Sequence, residues 1–174
     1  MIEELRPGVT LVIGGAKSGK SRHAQMLAEQ CEGEHVFIAT AQPFDAEMAD
    51  RIARHRADRD DRWRTVEAPI QLPAAIAAAD HPSAVILVDC LTLWASNLLI
   101  SSELIDDHLA NLETALSTCR GRIVLVTNEV GWGIVPDNAL ARRFRDIAGS
   151  INQSVARRAD RAHLVVAGLP MTLK

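Results

Sequence analysis

The sequence predicts one α/β domain over residues 1–174, built on a mainly parallel, twisted sheet of about seven strands with helices on both faces. Three observations lead to this prediction. Short β-branched apolar runs alternate with segments of helical periodicity along the chain. Strands separated by helices need crossover connections, which favour parallel pairing and a sheet covered on both faces. The length of 174 residues, with no repeat, linker or low-complexity segment, suits a single domain.

The first strand, residues 9–13, leads directly into a glycine-rich loop. Residues 14–21 have the sequence Gly-Gly-Ala-Lys-Ser-Gly-Lys-Ser and match GxxxxGK[ST], the phosphate-binding loop or P-loop. Ala24, Leu27 and Ala28 then recur at helical spacing. Because strand, glycine loop and helix are the context in which this pattern binds nucleotide, we expect a P-loop NTPase-type domain. The alternative, a chance glycine turn, is disfavoured by the flanking strand and helix.

Each residue type in the P-loop suits an anionic ligand. Glycine lets the backbone approach phosphate without an intervening Cβ. Successive N–H groups and the positive end of the helix dipole then face the anion. Lys20 adds a positive charge near the β- and γ-phosphates, and Ser21 can ligate Mg²⁺.

The same two periodicities assign the other elements in order. We predict further strands at residues 36–40, 63–67, 84–89, 123–127, 163–167 and 171–174, the last two as a hairpin around residues 168–170. We predict helices at residues 45–60, 72–79, 91–100 and 104–119, and a long one opened by Pro136 and Asp137. The apolar stripe of this last helix comprises Leu140, Phe144, Ile147, Ile151 and Val155.

Two carboxylates follow buried strands, where ligands bind parallel sheets. Asp89 ends an apolar run, and a carboxylate there is costly to bury unpaired. It can hold Mg²⁺ directly or through water, and the alternative is a cap for the helix that starts at Leu91. Glu129 follows the strand at residues 123–127. It can orient or deprotonate a substrate hydroxyl, or equally serve as a backbone hydrogen-bond partner in a loop.

The predicted helix at residues 45–60 is strongly basic. His55 lies among Arg51, Arg54, Arg56 and Arg59. Nearby positive charge disfavours imidazolium and keeps the ring neutral and nucleophilic, and the same arginines attract triphosphate. From these residues alone, a solvated basic helix is the stronger alternative.

Composition excludes several classes of function. The net charge of −3 gives no electrostatic reason to expect a nucleic-acid partner, and no apolar run approaches the ~20 residues of a membrane span. Cys31, Cys90 and Cys119 are scattered without a CxxC pair, which favours a reducing cytoplasm and disfavours a structural zinc site. No Asn-Lys-x-Asp sequence is present, so a GTPase switch is not expected. The class of function that remains is phosphoryl or nucleotidyl transfer to a small acceptor.

Several sequence motifs, taken together and in their order along the chain, are more specific to one protein family than the P-loop alone. They are Gly14-Gly-Ala-Lys-Ser-Gly-Lys-Ser-Arg-His-Ala24, Phe37-Ile-Ala-Thr-Ala41, Arg51-Ile-x-x-His-Arg56, Trp63-Arg-Thr-x-Glu67, Val88-Asp-Cys-Leu-Thr92, Val126-Thr-Asn-Glu-Val-Gly131 and Phe144-Arg-Asp-Ile-Ala-Gly149. Over nearly its whole length the chain resembles the bifunctional adenosylcobinamide kinase / adenosylcobinamide-phosphate guanylyltransferases of cobalamin biosynthesis. One local departure is Lys17, where arginine is expected in many relatives. Both residues are cations, but bidentate phosphate contact would be lost.

The resemblance implies two reactions and a homo-oligomer. ATP or GTP phosphorylates the aminopropanol hydroxyl of adenosylcobinamide, with Mg²⁺ as cofactor held by Ser21 and Asp89. GTP then gives GMP to a histidine, which passes it to the substrate phosphate. The resemblance implies that His55 is this nucleophile. The catalytic residues that it implies are His55, Lys20 and Asp89. The implied nucleotide contacts are Gly14, Gly15, Ala16, Lys17, Ser18, Gly19, Lys20, Ser21, Ile38, Ala39, Thr40, Arg56, Ala57, Asp58, Arg59, Glu67 and Asp89.

Two other hypotheses stay open at this point. One is a P-loop small-molecule kinase without a guanylyl step. The other is a regulatory module that binds nucleotide without transferring any group. Transfer of label from α-labelled GTP to the protein would indicate the bifunctional enzyme. Without such label, phosphorylation of adenosylcobinamide would indicate a kinase alone, and binding without transfer would indicate the regulatory module.

Overall fold

A computed structural model of the protein describes residues 6–43, 46, 49–50, 53 and 59–174. Seven strands form one sheet in the order β3-β2-β4-β5-β1-β6-β7. All adjacent pairs are parallel except β6 and β7. The α/β fold with a mainly parallel sheet is therefore confirmed. The strands are β1 (Gly8–Gly14), β2 (Glu34–Ala39), β3 (Trp63–Glu67), β4 (Ala84–Asp89), β5 (Arg122–Asn128), β6 (Arg161–Val166) and β7 (Leu169–Thr172).

Helices cover both faces of the sheet. They are α1 (Lys20–Glu29), α2 (Leu72–Ala79), α3 (Leu91–Ile100), α4 (Ile105–Ser117) and α5 (Ala139–Arg158). Along β4, Ile86 and Val88 point into a core shared with α2 to α5, whereas Val85 and Leu87 point into a core shared with α1. Successive strand residues face opposite sides, so a continuous apolar strand fills both cores.

The predicted helix at residues 45–60 lies mostly outside the described residues. Within it, Ala46, Ala49, Asp50 and Ala53 have helical backbone. The backbone at residues 59–60 is not helical. The Asp60 carboxylate instead accepts hydrogen bonds from the main chain and guanidinium of Arg62, which fixes a turn before β3.

The long helix begins later than the sequence predicts. Its first residue is Ala139, because the side chain of Asn138 accepts a hydrogen bond from the Ala141 N–H at 2.8 Å and caps the helix. Four of the five residues of the predicted apolar stripe face the core: Ile151 and Val155 are buried, and Phe144 and Ile147 are partly buried against the same cluster. Leu140 is 62% exposed, because the first turns of α5 extend past the packed core.

The predicted C-terminal hairpin is present, but its turn is tighter than expected. β7 begins at Leu169, so only Ala167 and Gly168 connect the two strands. Both have positive φ, 52° and 80°, as a two-residue turn that matches strand twist requires. This turn lies at the end of the sheet from which the P-loop emerges.

Candidate functional site

The P-loop connects the end of β1 to the start of α1. Gly15, Ala16 and Lys17 are exposed, whereas Ser18 and Lys20 are each only 8% exposed. The Lys20 ammonium donates to the Gly15 carbonyl at 3.1 Å, which folds the cation back over the loop. A positive charge held against a row of backbone amides is suited to bind the phosphates of a nucleotide.

The β6–β7 turn supports the P-loop from behind. The Gly168 N–H donates to the Ser18 carbonyl at 2.8 Å. Gly19 has φ of 94°, and a Cβ on it would lie 3.1 Å from the Gly168 Cα. Glycine is needed at position 19 both for this conformation and for the close approach of the two backbones.

Three predicted nucleotide contacts lie in one row across the sheet. Ala39, at the end of β2, is paired with Glu67 of β3 on one side and with Asp89 of β4 on the other. The Thr40 N–H donates to the Asp89 carbonyl at 3.3 Å, and the Ala68 N–H donates to the Ala39 carbonyl at 2.8 Å. The fold therefore brings these residues together at the carboxyl edge.

Two other predicted nucleotide contacts have side chains that are buried in the core or hydrogen-bonded to the main chain. The Ile38 side chain is fully buried in the core beneath α2 to α5. The Thr40 hydroxyl donates to the Cys90 carbonyl and accepts from the Cys90 N–H, both at 2.8 Å. Contact between these two residues and a nucleotide would have to come from their main chains.

The strand order separates Asp89 from the P-loop. β5 lies between β4 and β1, so Asp89 is paired with Val126 and not with a residue of β1. Glu129, which follows β5, is next to the loop: its N–H donates to the Gly14 carbonyl at 3.2 Å. The sequence indicates that both carboxylates end neighbouring strands, but not which one borders the P-loop.

A buried polar network holds the end of β5. Asn152 of α5 accepts from the Thr127 hydroxyl at 2.6 Å and donates to the Asn128 carbonyl at 3.1 Å. The Thr92 hydroxyl accepts from the Asn128 N–H at 2.7 Å. Sequence reasoning missed this network, and its only signal was polar residues among apolar neighbours in a strand and two helices. It fixes the peptide that precedes Glu129.

The predicted nucleophile lies outside the described residues. His55 falls there together with Arg56, Ala57 and Asp58. Arg59 is described, and its guanidinium carbon lies 3.6 Å from the centroid of the Phe37 ring. This stacking places one cation of the basic segment against β2, on the side of the sheet that α1 covers.

The donors predicted for Mg²⁺ fit that ion chemically. Ser21 supplies a hydroxyl oxygen, and Asp89 supplies a half-buried carboxylate at a strand end. Mg²⁺ prefers oxygen ligands and keeps several of its waters, so it needs few protein ligands. Within the described ranges no cluster of three or more His, Cys, Asp or Glu side chains could hold a metal by itself. A partly hydrated Mg²⁺ is compatible with both findings.

Two histidines without a predicted role connect α1 to β6. His23 Nε2 and His163 Nδ1 lie 2.9 Å apart and share a hydrogen bond. Burial is the main cause that lowers the pKa of each ring below 6.5. The neighbouring His163 lowers the pKa of His23 further, and Arg161 lowers that of His163. The contact joins the helix behind the P-loop to the hairpin that supports it.

The lowered pKa values of His23 and His163 predict a loss of stability in mild acid. The folded protein binds protons at these rings less readily than the unfolded chain, so the free energy of unfolding should fall as the pH drops below 6.5. Urea unfolding at pH 8, 6.5 and 5 measures this. His163→Gln keeps a hydrogen-bonding side chain without a titratable ring and should flatten the dependence between pH 6.5 and 5. An equally steep decline in that variant would assign it to other groups.

None of the helices in the described part of the chain has the length and hydropathy required to cross a bilayer.

Comparison with known proteins gives consistent results at the levels of family and fold. The family described as "Cobinamide kinase / cobinamide phosphate guanyltransferase" matches residues 10–173. The chain is 46% identical over 166 residues to the "Bifunctional adenosylcobalamin biosynthesis protein CobP" of Pseudomonas aeruginosa, covering 94% of this chain and 96% of the relative. It is 44% identical over 179 residues to the "Bifunctional adenosylcobalamin biosynthesis protein CobU" of Salmonella typhimurium, covering 94% and 98%.

Solved structures show the same fold at low sequence identity. An ATPase from the type III secretion system of pathogenic bacteria superposes with a TM-score of 0.56 at 12% identity, covering 95% of this chain and 56% of that one. The P4 protein from bacteriophage phi6, solved with ADP, gives a TM-score of 0.50 at 16% identity, covering 97% and 55%. These likenesses concern the fold alone.

Proposed function

The chain belongs to the cobinamide kinase / cobinamide phosphate guanyltransferase family, and we propose that one P-loop domain, residues 1–174, carries out both reactions on adenosylcobinamide. ATP or GTP first phosphorylates the aminopropanol hydroxyl. GMP from GTP is then transferred to the new phosphate, giving adenosylcobinamide-GDP. The observation that carries the proposal is the P-loop itself, with Lys20 folded over its amides in a chain that matches the family over nearly its whole length.

The kinase step depends on charge stabilisation at the P-loop. The hydroxyl oxygen forms a bond to the γ-phosphorus, the bond to the β–γ bridging oxygen breaks, and nucleoside diphosphate leaves. Lys20 and the loop amides stabilise the negative charge on the transferring group and the leaving group. Ser21 and Asp89 would hold Mg²⁺, which supplies further positive charge to the phosphates.

The guanylyl step uses a covalent intermediate. A neutral ring nitrogen of His55 bonds to the α-phosphorus of GTP, the α–β anhydride bond breaks, and pyrophosphate leaves. A phosphate oxygen of the acceptor then displaces the imidazole from the same phosphorus. Covalent catalysis divides one difficult displacement into two easier ones. Arg56 and Arg59 stabilise the charge on the phosphates.

The nucleotide lies along the carboxyl edge in this proposal. The P-loop holds the phosphates, while residues 56–59, Glu67 and the main chain at residues 38–40 contact the guanosine.

A homo-oligomer is also part of the proposal, supported by large apolar side chains that are more than half exposed: Trp132, Ile134, Val135 and Leu140. A cytoplasmic location completes it, supported by three free cysteines.

Incubation with α-labelled GTP and with γ-labelled ATP tests the proposal. We expect acid-labile, base-stable label on the protein from α-labelled GTP, and labelled adenosylcobinamide phosphate from γ-labelled ATP. Phosphorylation of adenosylcobinamide without label on the protein would support a kinase alone. Nucleotide binding without either transfer would support a regulatory module.

A further inference from the structure

We propose that Glu129 is the general base of the kinase step, taking the proton from the aminopropanol hydroxyl as its oxygen attacks the γ-phosphorus. The inference rests on the proposed function and adds a catalytic residue to it. One O–H bond breaks, the proton passes to a carboxylate oxygen of Glu129, and the oxygen's electron pair forms the new O–P bond. The nucleoside diphosphate leaves with the electrons of the broken anhydride bond.

Position is the first argument for Glu129. Its N–H donates to the carbonyl of Gly14, the first residue of the P-loop, at 3.2 Å. Gly14 itself is paired with Asn128 in the sheet. Since Asp89 lies one strand further away, Glu129 is the better placed of the two strand-end carboxylates to reach a group bound beside the γ-phosphate.

Rigidity is the second argument. The Thr92, Thr127 and Asn152 side chains fix the peptide at Asn128 through bonds of 2.6 to 3.1 Å. The Glu129 carboxylate is in turn held through its Oε1 atom, which accepts from the Gly131 N–H at 2.7 Å. Its Oε2 atom accepts no hydrogen bond from the rest of the described chain. A fixed carboxylate with one oxygen available is suited to accept a proton.

The two reactions differ in their need for a base. The acceptor in the kinase step is a neutral alcohol, which must lose its proton to form the product. The acceptors in the guanylyl steps are a neutral imidazole nitrogen and a phosphate oxygen, and neither has a proton to remove before attack. In the proposed function both reactions use the same P-loop, so a defect confined to the kinase step excludes a general fault in binding triphosphate.

The alternative is that Glu129 only holds the loop through its bond to Gly131. Glu129→Gln separates the two roles, because the amide oxygen of glutamine still accepts from the Gly131 N–H but cannot take up the proton. We expect the kinase kcat to fall about 10²-fold or more, the lower end of what general bases contribute. The KM for the triphosphate and the formation of labelled GMP–enzyme should stay within about threefold of wild type.

Gly131→Ala provides a second test, which keeps glutamate at position 129 but displaces its carboxylate. A Cβ there would lie 2.8 Å from Glu129 Oε1, so the flexible end of that side chain must move while the backbone can stay. A partial loss of kinase kcat with normal GMP–enzyme formation is expected. Glu32→Gln, at an exposed glutamate before β2 and so at the opposite edge of the sheet, is the matched control for the charge change.

Two results would overturn the assignment. One is Glu129→Gln with a kinase kcat near that of wild type. The other is a parallel loss of both activities in that variant, which would make the residue structural. A wild-type protein that forms GMP–enzyme but does not phosphorylate adenosylcobinamide would instead overturn the kinase half of the proposed function, and this assignment with it.

Discussion

Replacing Lys20 with alanine is expected to lower both the kinase rate and the formation of GMP–enzyme by roughly 10²–10³-fold, the loss that follows removal of one preorganised donor from a transition-state site. Lys20 is almost fully buried and its ammonium donates to the Gly15 carbonyl, so the cation is positioned before substrate arrives. Steady-state kinetics with ATP and GTP, and α-labelled GTP for the covalent intermediate, measure the two losses.

The matched control is Lys174→Ala. Lys174 lies beyond β7, and its ammonium contacts the carbonyls of Ala156 and Arg157 at the end of α5. The same change of charge there should leave both activities intact. Unchanged turnover in Lys20→Ala would show that the P-loop does not bind the reacting triphosphate. A loss of only one activity would show that the two reactions use different phosphate sites.

Replacing His55 with asparagine is expected to abolish GMP–enzyme formation and the synthesis of adenosylcobinamide-GDP. Without the imidazole no nitrogen nucleophile attacks the α-phosphorus, and the covalent route is closed. Phosphorylation of adenosylcobinamide should continue at a rate near that of wild type, because in the proposed mechanism that step uses the P-loop, Mg²⁺ and a base but not the imidazole. Gel analysis after incubation with α-labelled GTP and chromatography of the corrinoid products measure the two outcomes.

His81→Asn is the control for this experiment. His81 is about one-third exposed and bonds to Glu34 and Ser83 at the amino edge of the sheet, opposite the P-loop. That variant should retain both activities. If protein-bound GMP persisted in His55→Asn, another residue would be the nucleophile, and the basic segment would return to the role of a solvated surface.

Much of the architecture could be predicted because local sequence decides it. The apolar run at residues 84–89 is a strand, and the segment at residues 91–100 is a helix with the predicted bounds. The errors lie at element ends. α5 starts at Ala139 because the Asn138 side chain caps it, and β7 starts at Leu169 because two positive-φ residues suffice for the turn. Such ends depend on single hydrogen bonds and dihedrals that periodicity does not detect.

The residues of the candidate site also differ in how far the sequence could predict them. Gly14 through Ser21 could be identified from sequence, because a loop that wraps phosphate needs glycine, lysine and a hydroxyl at fixed spacing. The positions of Ile38 and Thr40 were less predictable. Their side chains are enclosed by residues from other strands and helices, and no local pattern indicates that.

By itself the sequence determined the order of strands and helices along the chain, the phosphate-binding loop and the family. Only the tertiary structure decided that β5 lies between β1 and β4, and so that Glu129 and not Asp89 borders the loop. It also joined His23 to His163 across 140 residues of chain. The physical reason is that periodicity and turn chemistry act over a few residues, whereas neighbours across a sheet are selected by packing among all its strands and helices.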